Sequence, residues 1–220
     1  MAQALADATE RRPKKMIRVW DVFVRLFHWS VAVGFFVAYF SEDALGLHVW
    51  AGYVVGALVV LRIVWGFTGP EHARFSSFIY PPGTVLRYLW DLPIGRAKRY
   101  LGHSPGGGAM VLLLLIGLLG TVGTGLVFYA IEENAGPLAA LVSAGSPPGQ
   151  AEPALDRAGD EDDEVAEGWG EFWEESHEVL ANLMLVLVVL HVAGVLLASY
   201  VHRENLTRAM ITGLKRAPSE

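Results

Sequence analysis

The chain of 220 residues contains no cysteine, and this absence removes several kinds of structure and cofactor site. Disulfide bonds are excluded, as is covalent attachment of a haem through a C-x-x-C-H motif. Iron–sulfur clusters held by thiolates and zinc sites built from cysteine are excluded as well. Any redox cofactor must therefore be bound by histidine, methionine or carboxylate side chains.

Charged residues are also scarce. They make up 18% of the sequence, against about a quarter in typical soluble domains, while 53% of the residues are hydrophobic and the mean hydropathy is +0.37. This balance is typical of a chain that crosses a membrane several times. A separate soluble domain is not expected, since membrane spans and their loops account for the whole length.

Four apolar segments are long enough to cross about 30 Å of hydrocarbon as helices. They lie at about 22–40, 48–65, 109–131 and 177–200. Backbone amides in lipid must be satisfied within the chain, which favours helices. The sequence therefore predicts an all-α, integral membrane four-helix bundle. Its membrane domain covers 19–215, between a basic N-terminal tail, 1–18, and a short C-terminal tail, 216–220.

Basic and acidic residues are separated along the chain. Sixteen of the seventeen lysines and arginines belong to residues 1–25, residues 203–220, the loop 66–108, or Arg62 beside that loop. The loop 132–176 carries 13 acidic residues and Arg157 as its one basic residue. Because lysine and arginine accumulate on the cytoplasmic side, we expect both termini and loop 66–108 to be cytoplasmic. The predicted location is a bacterial inner membrane.

The acidic loop 132–176 allows two interpretations. It is either a solvated outer loop or a docking surface for a basic soluble partner, because clustered charge raises encounter rates. The glycines of the third span also allow two interpretations. They fit the ordinary composition of membrane helices, and they fit a surface for close helix contact or for a cofactor. These glycines are Gly117, Gly120, Gly123 and Gly125.

Histidine is the most informative residue type that is present, with seven copies. An ionisable residue inside a membrane helix is costly and indicates a function. His28 and His191 lie well inside predicted spans, and His48 and His177 lie in the first turns of spans two and four. His177 and His191 are fourteen residues apart, so they share one helix face and lie roughly 21 Å apart along its axis.

The predicted orientation pairs these four histidines by depth. The first span runs outward and the second and fourth run inward, which places His28 level with His191 near the cytoplasmic side. His48 is then level with His177 near the outer side. Each pair offers two axial imidazoles to one haem iron. The other ring N–H of each imidazole should donate a hydrogen bond to a carbonyl or acidic partner. A single zinc site cannot use all four histidines, because His177 and His191 are too far apart. For any one histidine taken alone, the alternative is a hydrogen-bonded core residue or a member of a proton relay.

Several other residues are secondary candidates. Haem propionates are anionic and favour basic partners, for which the candidates are Arg18, Arg25, Arg62 and Arg99. The same arginines are equally expected from the positive-inside rule alone. The remaining histidines, His72, His103 and His202, are not expected to be ligands, although a role for His103 in a quinone site or in proton uptake is left open.

The order of several short motifs resembles the bacterial cytochrome b561 family, which includes the cytochrome b subunits of membrane-bound nickel–iron hydrogenases. The motifs cover about 18–215 and include the two histidines of the fourth span. They are Arg18–Asp21 (RVWD), Arg25–Trp29 (RLFHW), His48–Tyr53 (HVWAGY), Arg62–Pro70 (RIVWGFTGP), Arg99–Ala109 (RYLGHSPGGGA) and His177–Glu178 followed by His191. Each motif is weak by itself, and their order and spacing make the match specific.

The resemblance implies a protein with two b-type haems that exchanges electrons with a quinone and a redox partner. It implies His28, His48, His177 and His191 as the haem ligands, in agreement with the pairing by depth. The expected partners are membrane lipid, a quinone and a periplasmic c-type cytochrome. Nucleic acid is not expected, and both a homo-oligomer and a quinone oxidoreductase activity are left open.

Two other functions compete with this interpretation. The chain can be the cytochrome b anchor of a nickel–iron hydrogenase or another periplasmic dehydrogenase, which delivers electrons to it. From a different class, it can be a haem-free transporter that depends on histidine, although no inverted repeat of the kind common in transporters is visible.

Overall fold

The computed structural model describes residues 15–145 and 160–217. Most of the predicted basic tail, 1–14, and the last residues, 218–220, lie outside the described residues. The stretch 146–159 of the predicted acidic loop, which includes Arg157, also lies outside them.

The described chain is mostly helical. Its helices are α1 Val22–Tyr39, α2 Leu45–Thr68, α3 Pro82–Asp91, α4 Pro105–Glu132, α5 Ala139–Gly145, α6 Asp160–Val201 and α7 Leu206–Thr212. Four of them, namely α1, α2, α4 and the Trp169–Val201 part of α6, are long and apolar enough to cross a membrane. The prediction of a mostly helical chain with four helices able to cross a membrane is confirmed.

The third span begins four residues before its predicted start, at Pro105 rather than Ala109. Three consecutive glycines favour a late start, because glycine is a poor helix former. The local capping chemistry outweighs this effect. The Ser104 hydroxyl accepts a hydrogen bond from the Gly107 N–H at 3.2 Å, and proline at the first helical position has no N–H to leave unsatisfied.

The largest difference from the sequence prediction is the start of α6. The sequence predicts a loop as far as residue 176, whereas the helix begins at Asp160 and runs for 42 residues. Glutamate and alanine are good helix formers and no proline interrupts this stretch, so the acidic segment continues the helix of the span. The part of the predicted acidic loop from Asp160 onward is therefore helical.

The described residues include two short strands, whereas the sequence predicted an all-α fold. β1, Met16–Arg18, pairs in antiparallel fashion with β2, Leu214–Arg216. The chain reaches β2 through Gly213, whose φ of 80° is in the left-handed region that glycine adopts without strain. Val19 and Trp20 both donate backbone hydrogen bonds to the Gly213 carbonyl. The two tails of the chain are thus joined by a β-ribbon.

The structure divides into two compact units. The first contains the described parts of 1–28, 64–109 and 191–220, and the second contains those of 29–63 and 110–190. In the second unit the helices pack at glycines: a Cβ on Gly34 of α1 would lie 2.9 Å from Val55 of α2, and a Cβ on Gly56 of α2 would lie 2.9 Å from Val122 of α4. Such small residues let membrane helices approach closely.

The first unit contains a buried ionic cluster around Glu204. Arg99 donates two hydrogen bonds to its carboxylate, at 2.8 and 3.1 Å, and the Arg216 N–H donates a third at 3.1 Å. The Lys215 ammonium lies 3.8 Å away, and the side chains of Glu204 and Lys215 are only 6% and 5% exposed. Burial raises the pKa of Glu204, but these hydrogen bonds and the charges of Lys215 and Arg99 outweigh burial and hold the pKa below its ordinary value of 4.5.

We predict that Glu204→Gln destabilises the protein, because it leaves buried cations without their carboxylate. Breaking a buried ion pair costs about 3 kcal/mol, so the midpoint of thermal unfolding in detergent should fall. Glu71→Gln, at an exposed carboxylate, is the control and should leave the midpoint unchanged.

The same cluster predicts a pH dependence. Since the folded-state pKa of Glu204 is lowered, its contribution to stability is complete above the ordinary value and is lost as pH falls through the folded-state value. The unfolding midpoint of the Glu204→Gln variant should lack this acid-dependent component. Equal midpoints for wild type and variant at neutral pH would contradict the stabilising role of the cluster.

Candidate functional site

The first unit brings His28 of α1 and His191 of α6 together. Their ring centroids lie 6.1 Å apart, with 51° between the ring planes. A metal–imidazole bond is about 2 Å long, and the nitrogen lies about 1 Å from the ring centre, so two rings bound to opposite sides of one ion have centroids roughly 6 Å apart. The separation of His28 and His191 therefore fits two rings that would hold one metal ion between them.

The second unit brings His48 of α2 and His177 of α6 together in the same way. Their ring centroids lie 5.9 Å apart, with 75° between the planes. Both imidazoles are partly buried. Each predicted pair is thus assembled from two helices, and α6 contributes one member to each.

Backbone carbonyls determine which nitrogens of the second pair are available to a metal. His48 Nδ1 lies 3.0 Å from the Ala38 carbonyl oxygen at the end of α1. His177 Nδ1 lies 2.9 Å from the Thr121 carbonyl oxygen in α4. A carbonyl only accepts, so both Nδ1 atoms must carry the proton and both Nε2 atoms keep a lone pair. This is the carbonyl partner expected for a metal-binding imidazole.

A cavity opens beside the second pair. Its volume is about 100 Å³, and its lining includes His48, His177, Gly52, Tyr53 and Tyr129. The rest of the lining is mostly apolar, contributed by α1, α2, α4 and α6. Cofactor pockets are typically apolar with a few polar groups. The residues that line this cavity therefore fit an apolar group held by two imidazoles.

Helix α4 has no histidine, yet it supports His177 at three adjacent positions. A Cβ on Gly125 would lie 2.8 Å from Cε1 of His177, so only glycine leaves room for the imidazole ring. The Thr124 hydroxyl lies 3.2 Å from Nδ1, in addition to the hydrogen bond to the Thr121 carbonyl. Gly125 is among the glycines expected to matter, but its contact with His177 and the roles of Thr121 and Thr124 were not predicted from the sequence. Their four-residue spacing with Gly117 and Gly120 was the available signal, because it marks one helix face.

The predicted arginines lie in different surroundings. Arg62 is 2% exposed within α2. Arg25 donates from Nη1 to the Ile211 carbonyl at 2.6 Å and from Nε to the Asp21 carbonyl at 3.4 Å, which gives it a role in holding the end of α7. Arg18 is exposed on β1. Arg99, a further candidate, binds Glu204 as described above.

The other three histidines lie outside the two pairs. His103 packs between Trp20 and Phe78, with ring centroids 4.6 and 4.4 Å away. His202 lies 3.4 Å from the Tyr88 hydroxyl. His72 packs against the backbone at Gly102. Among the described residues, no group of three or more histidine, aspartate or glutamate side chains is arranged to hold a metal ion, which disfavours a zinc site of the ordinary kind.

Comparison with known proteins relates this chain to membrane cytochromes. A family profile described as prokaryotic cytochrome b561 matches residues 19–213. No solved structure matches the chain.

Three curated relatives have the same description, "probable Ni/Fe-hydrogenase B-type cytochrome subunit". Those of Azotobacter chroococcum mcd 1 and Azotobacter vinelandii are each 27% identical to this chain over 158 residues, and that of Rhizobium leguminosarum bv. viciae is 26% identical over 154. The matches cover 56% of this chain and 63 or 64% of each relative. The chain therefore spans less than two thirds of the length of these relatives.

We predict that Gly125→Ala disturbs the site at His177, because the added methyl group forces the imidazole away from α4. The hydrogen bond to Thr121 should lengthen and Nε2 should turn. The measurement is haem content per chain, together with the low-spin electron paramagnetic resonance signal of the oxidised protein. Gly123→Ala is a matched control, since a Cβ there meets nothing within 4 Å. Indistinguishable signals from the two variants would contradict the role of Gly125.

Proposed function

This chain belongs to the prokaryotic cytochrome b561 family, and on that premise we propose that it carries electrons across the membrane with two b-type haems. The electrons pass between the quinone pool and a redox partner on the other side. The observation that carries the proposal is the presence of two histidine pairs, with ring centroids 6.1 and 5.9 Å apart.

In this proposal His28 and His191 hold one haem and His48 and His177 hold the other. Haem iron supplies a reversible one-electron change between its ferrous and ferric forms. With two imidazoles holding it at each site, a haem iron would have no position left for oxygen. The residues of the chain thus favour electron transfer over oxygen chemistry.

The backbone carbonyls of Ala38 and Thr121 take part in the proposed function. By accepting the Nδ1 protons of His48 and His177, they hold each ring in one orientation and make Nε2 a stronger electron donor to a metal. A stronger donor stabilises the oxidised form. These two hydrogen bonds therefore help to set the potential at this pair.

The proposed route of transfer across the membrane rests on the spacing of two histidines along one helix. His177 and His191 are fourteen residues apart on α6, which corresponds to roughly 21 Å along the helix axis. Two haems held at this spacing lie toward opposite faces of a hydrocarbon layer about 30 Å thick. We propose that they act in series.

The contacts among basic segments support the proposed orientation, with both termini in the cytoplasm of a bacterial cell and the chain in the inner membrane. The N-terminal strand β1 pairs with the C-terminal strand β2. Arg99 of the loop 66–108 binds Glu204 and the Arg216 carbonyl beyond the fourth span. The three segments that the positive-inside rule assigns to one side are thus in contact.

Arg62 is the best supported of the arginines proposed to bind haem propionates. Arg62 is the most buried of these arginines, 2% exposed within α2, and a buried cation in a membrane helix indicates a functional position. Arg25 donates a hydrogen bond to the Ile211 carbonyl at the end of α7, and Arg18 is exposed, so propionate binding by these two rests on charge alone.

The proposed partner is a soluble periplasmic c-type cytochrome. A second candidate is the catalytic subunit of a nickel–iron hydrogenase, in which case this chain is the membrane subunit that receives its electrons. The description of the three curated relatives favours this second candidate. Both partners fit the same two histidine pairs, so the experiment must separate them.

We predict two b-type haems per chain in the pyridine haemochrome assay. His191→Ala should reduce the count to one and spare the haem at His48 and His177, because the two pairs share no residue. His72→Ala should retain two. Equal retention of both haems by the His191→Ala variant would contradict the assignment, and absence of a Soret band from the purified protein would favour a haem-free transporter.

We predict that a reduced menaquinone or ubiquinone analogue reduces the haems of the purified protein in liposomes. Addition of an oxidised c-type cytochrome should then reoxidise them within the same preparation. Reduction by hydrogen in native membranes, lost when a co-expressed hydrogenase is removed, would favour the second candidate. No reduction by either quinol would count against exchange with the quinone pool.

A further inference from the structure

The short helix α3 presents an apolar face that the other described residues leave largely exposed. Leu86, Leu89 and Trp90 are 58, 50 and 78% exposed, and at 100° per residue they share one side of the helix. Tyr88 and Leu92 are 7 and 6% exposed and lie on the opposite side. The helix is therefore apolar both toward the protein and away from it.

This arrangement is the reverse of that expected for a helix in an aqueous loop. A surface helix places its polar residues on the outer side. In α3 the outer side carries two leucines and a tryptophan, and Ile79 before the helix and Ile94 after it are 58 and 61% exposed. A contiguous apolar surface of this kind requires an apolar contact.

The position of α3 in the fold indicates what that contact is. A Cβ on Gly106, in the first turn of α4, would lie 3.1 Å from both Leu89 and Tyr88. Just before α3, the Phe78 carbonyl oxygen lies directly against Gly108 of α4. Since α4 is a membrane-spanning helix, α3 packs against the turn in which that span begins. This is the level at which hydrocarbon meets lipid headgroups.

The charges near this face fit phospholipid headgroups. Arg87 lies about 100° from Leu86, at the edge of the apolar face, and it is exposed. Arg96 and Lys98 follow the helix and are exposed as well. The one acidic residue of the helix, Asp91, is only partly exposed. Apolar side chains flanked by cations are the pattern of helices that lie in a membrane surface that contains anionic lipid.

We propose that α3 is an interfacial helix that binds the surface of the bilayer. Leu86, Leu89 and Trp90 enter the boundary between acyl chains and headgroups, and Arg87 with the two cations that follow the helix contacts anionic phospholipids. The helix thereby holds the loop 66–108 at a fixed depth. This binding depends on the membrane location of the chain and not on the proposed electron transfer.

The absence of cysteine allows a direct test in the full-length protein in lipid nanodiscs. Single cysteines at Leu86 and Trp90 carry nitroxide spin labels, whose relaxation by lipid-soluble oxygen and by a water-soluble nickel chelate is compared. Val60→Cys in α2, an exposed position of a span, is the lipid reference, and Glu71→Cys is the aqueous reference. Labels on α3 should respond to oxygen as the Val60→Cys label does.

Two results would overturn the proposal. Labels at Leu86 and Trp90 that respond to the nickel chelate as strongly as the Glu71→Cys label would place the face in water. Labels shielded from both relaxing agents would show that protein covers it, either a second copy or a partner.

A second measurement tests the choice of lipid. The Leu86→Cys label should be less accessible to the nickel chelate in nanodiscs with phosphatidylglycerol than in those of phosphatidylcholine alone. When Leu86→Cys is combined with Arg87→Gln, Arg96→Gln and Lys98→Gln, the accessibility of the label should become the same in the two lipid compositions. Equal accessibility in the two lipids for the unsubstituted helix would overturn the part of the proposal that concerns anionic headgroups.

Discussion

Hydrogen bonds from two imidazoles to backbone carbonyls are the constraint on which the rest of the second unit depends. His48 of α2 binds the Ala38 carbonyl of α1, and His177 of α6 binds the Thr121 carbonyl of α4. One bond joins α2 to α1 and the other joins α6 to α4. Both bonds leave the Nε2 atom of the imidazole available to a metal. In a medium without water, an imidazole N–H must find such a partner within the protein. The same bonds that satisfy the membrane helices therefore orient the candidate metal ligands.

The first unit is held by charged side chains as well as by helix packing. It contains the other histidine pair and also the cluster in which Glu204 compensates Arg99, Lys215 and Arg216. Basic residues collect here because of the positive-inside rule, and one buried carboxylate lets several of them approach one another. The cluster joins the loop 66–108 to the C-terminal tail, and the β-ribbon joins that tail to the N-terminal strand. Segments that the sequence sets far apart are thus held together.

Much of this arrangement could be predicted from the sequence. The four spans follow from long apolar runs, since the cost of exposing backbone to lipid leaves few alternatives to a helix. The two histidine pairs follow from helix periodicity and from the alternating direction of the spans, and the structure brings together the members of each pair; their role as haem ligands stays a prediction. The loop 132–176 was the weakest prediction, because composition alone does not separate a solvated acidic loop from the extension of a helix that begins at Asp160.

The sequence by itself determined the membrane class, the number of spans and the candidate ligands, because these depend on the type and spacing of residues along single helices. The tertiary structure decided which partners those residues meet. Ala38 and Thr121 act through backbone carbonyls, which carry no sequence signal, and Gly125 matters because a ring from another helix lies against it. Glu204 similarly gained its importance from cations more than a hundred residues away or in a separate strand. Contacts between helices depend on how the helices pack, and no periodicity within one segment encodes that.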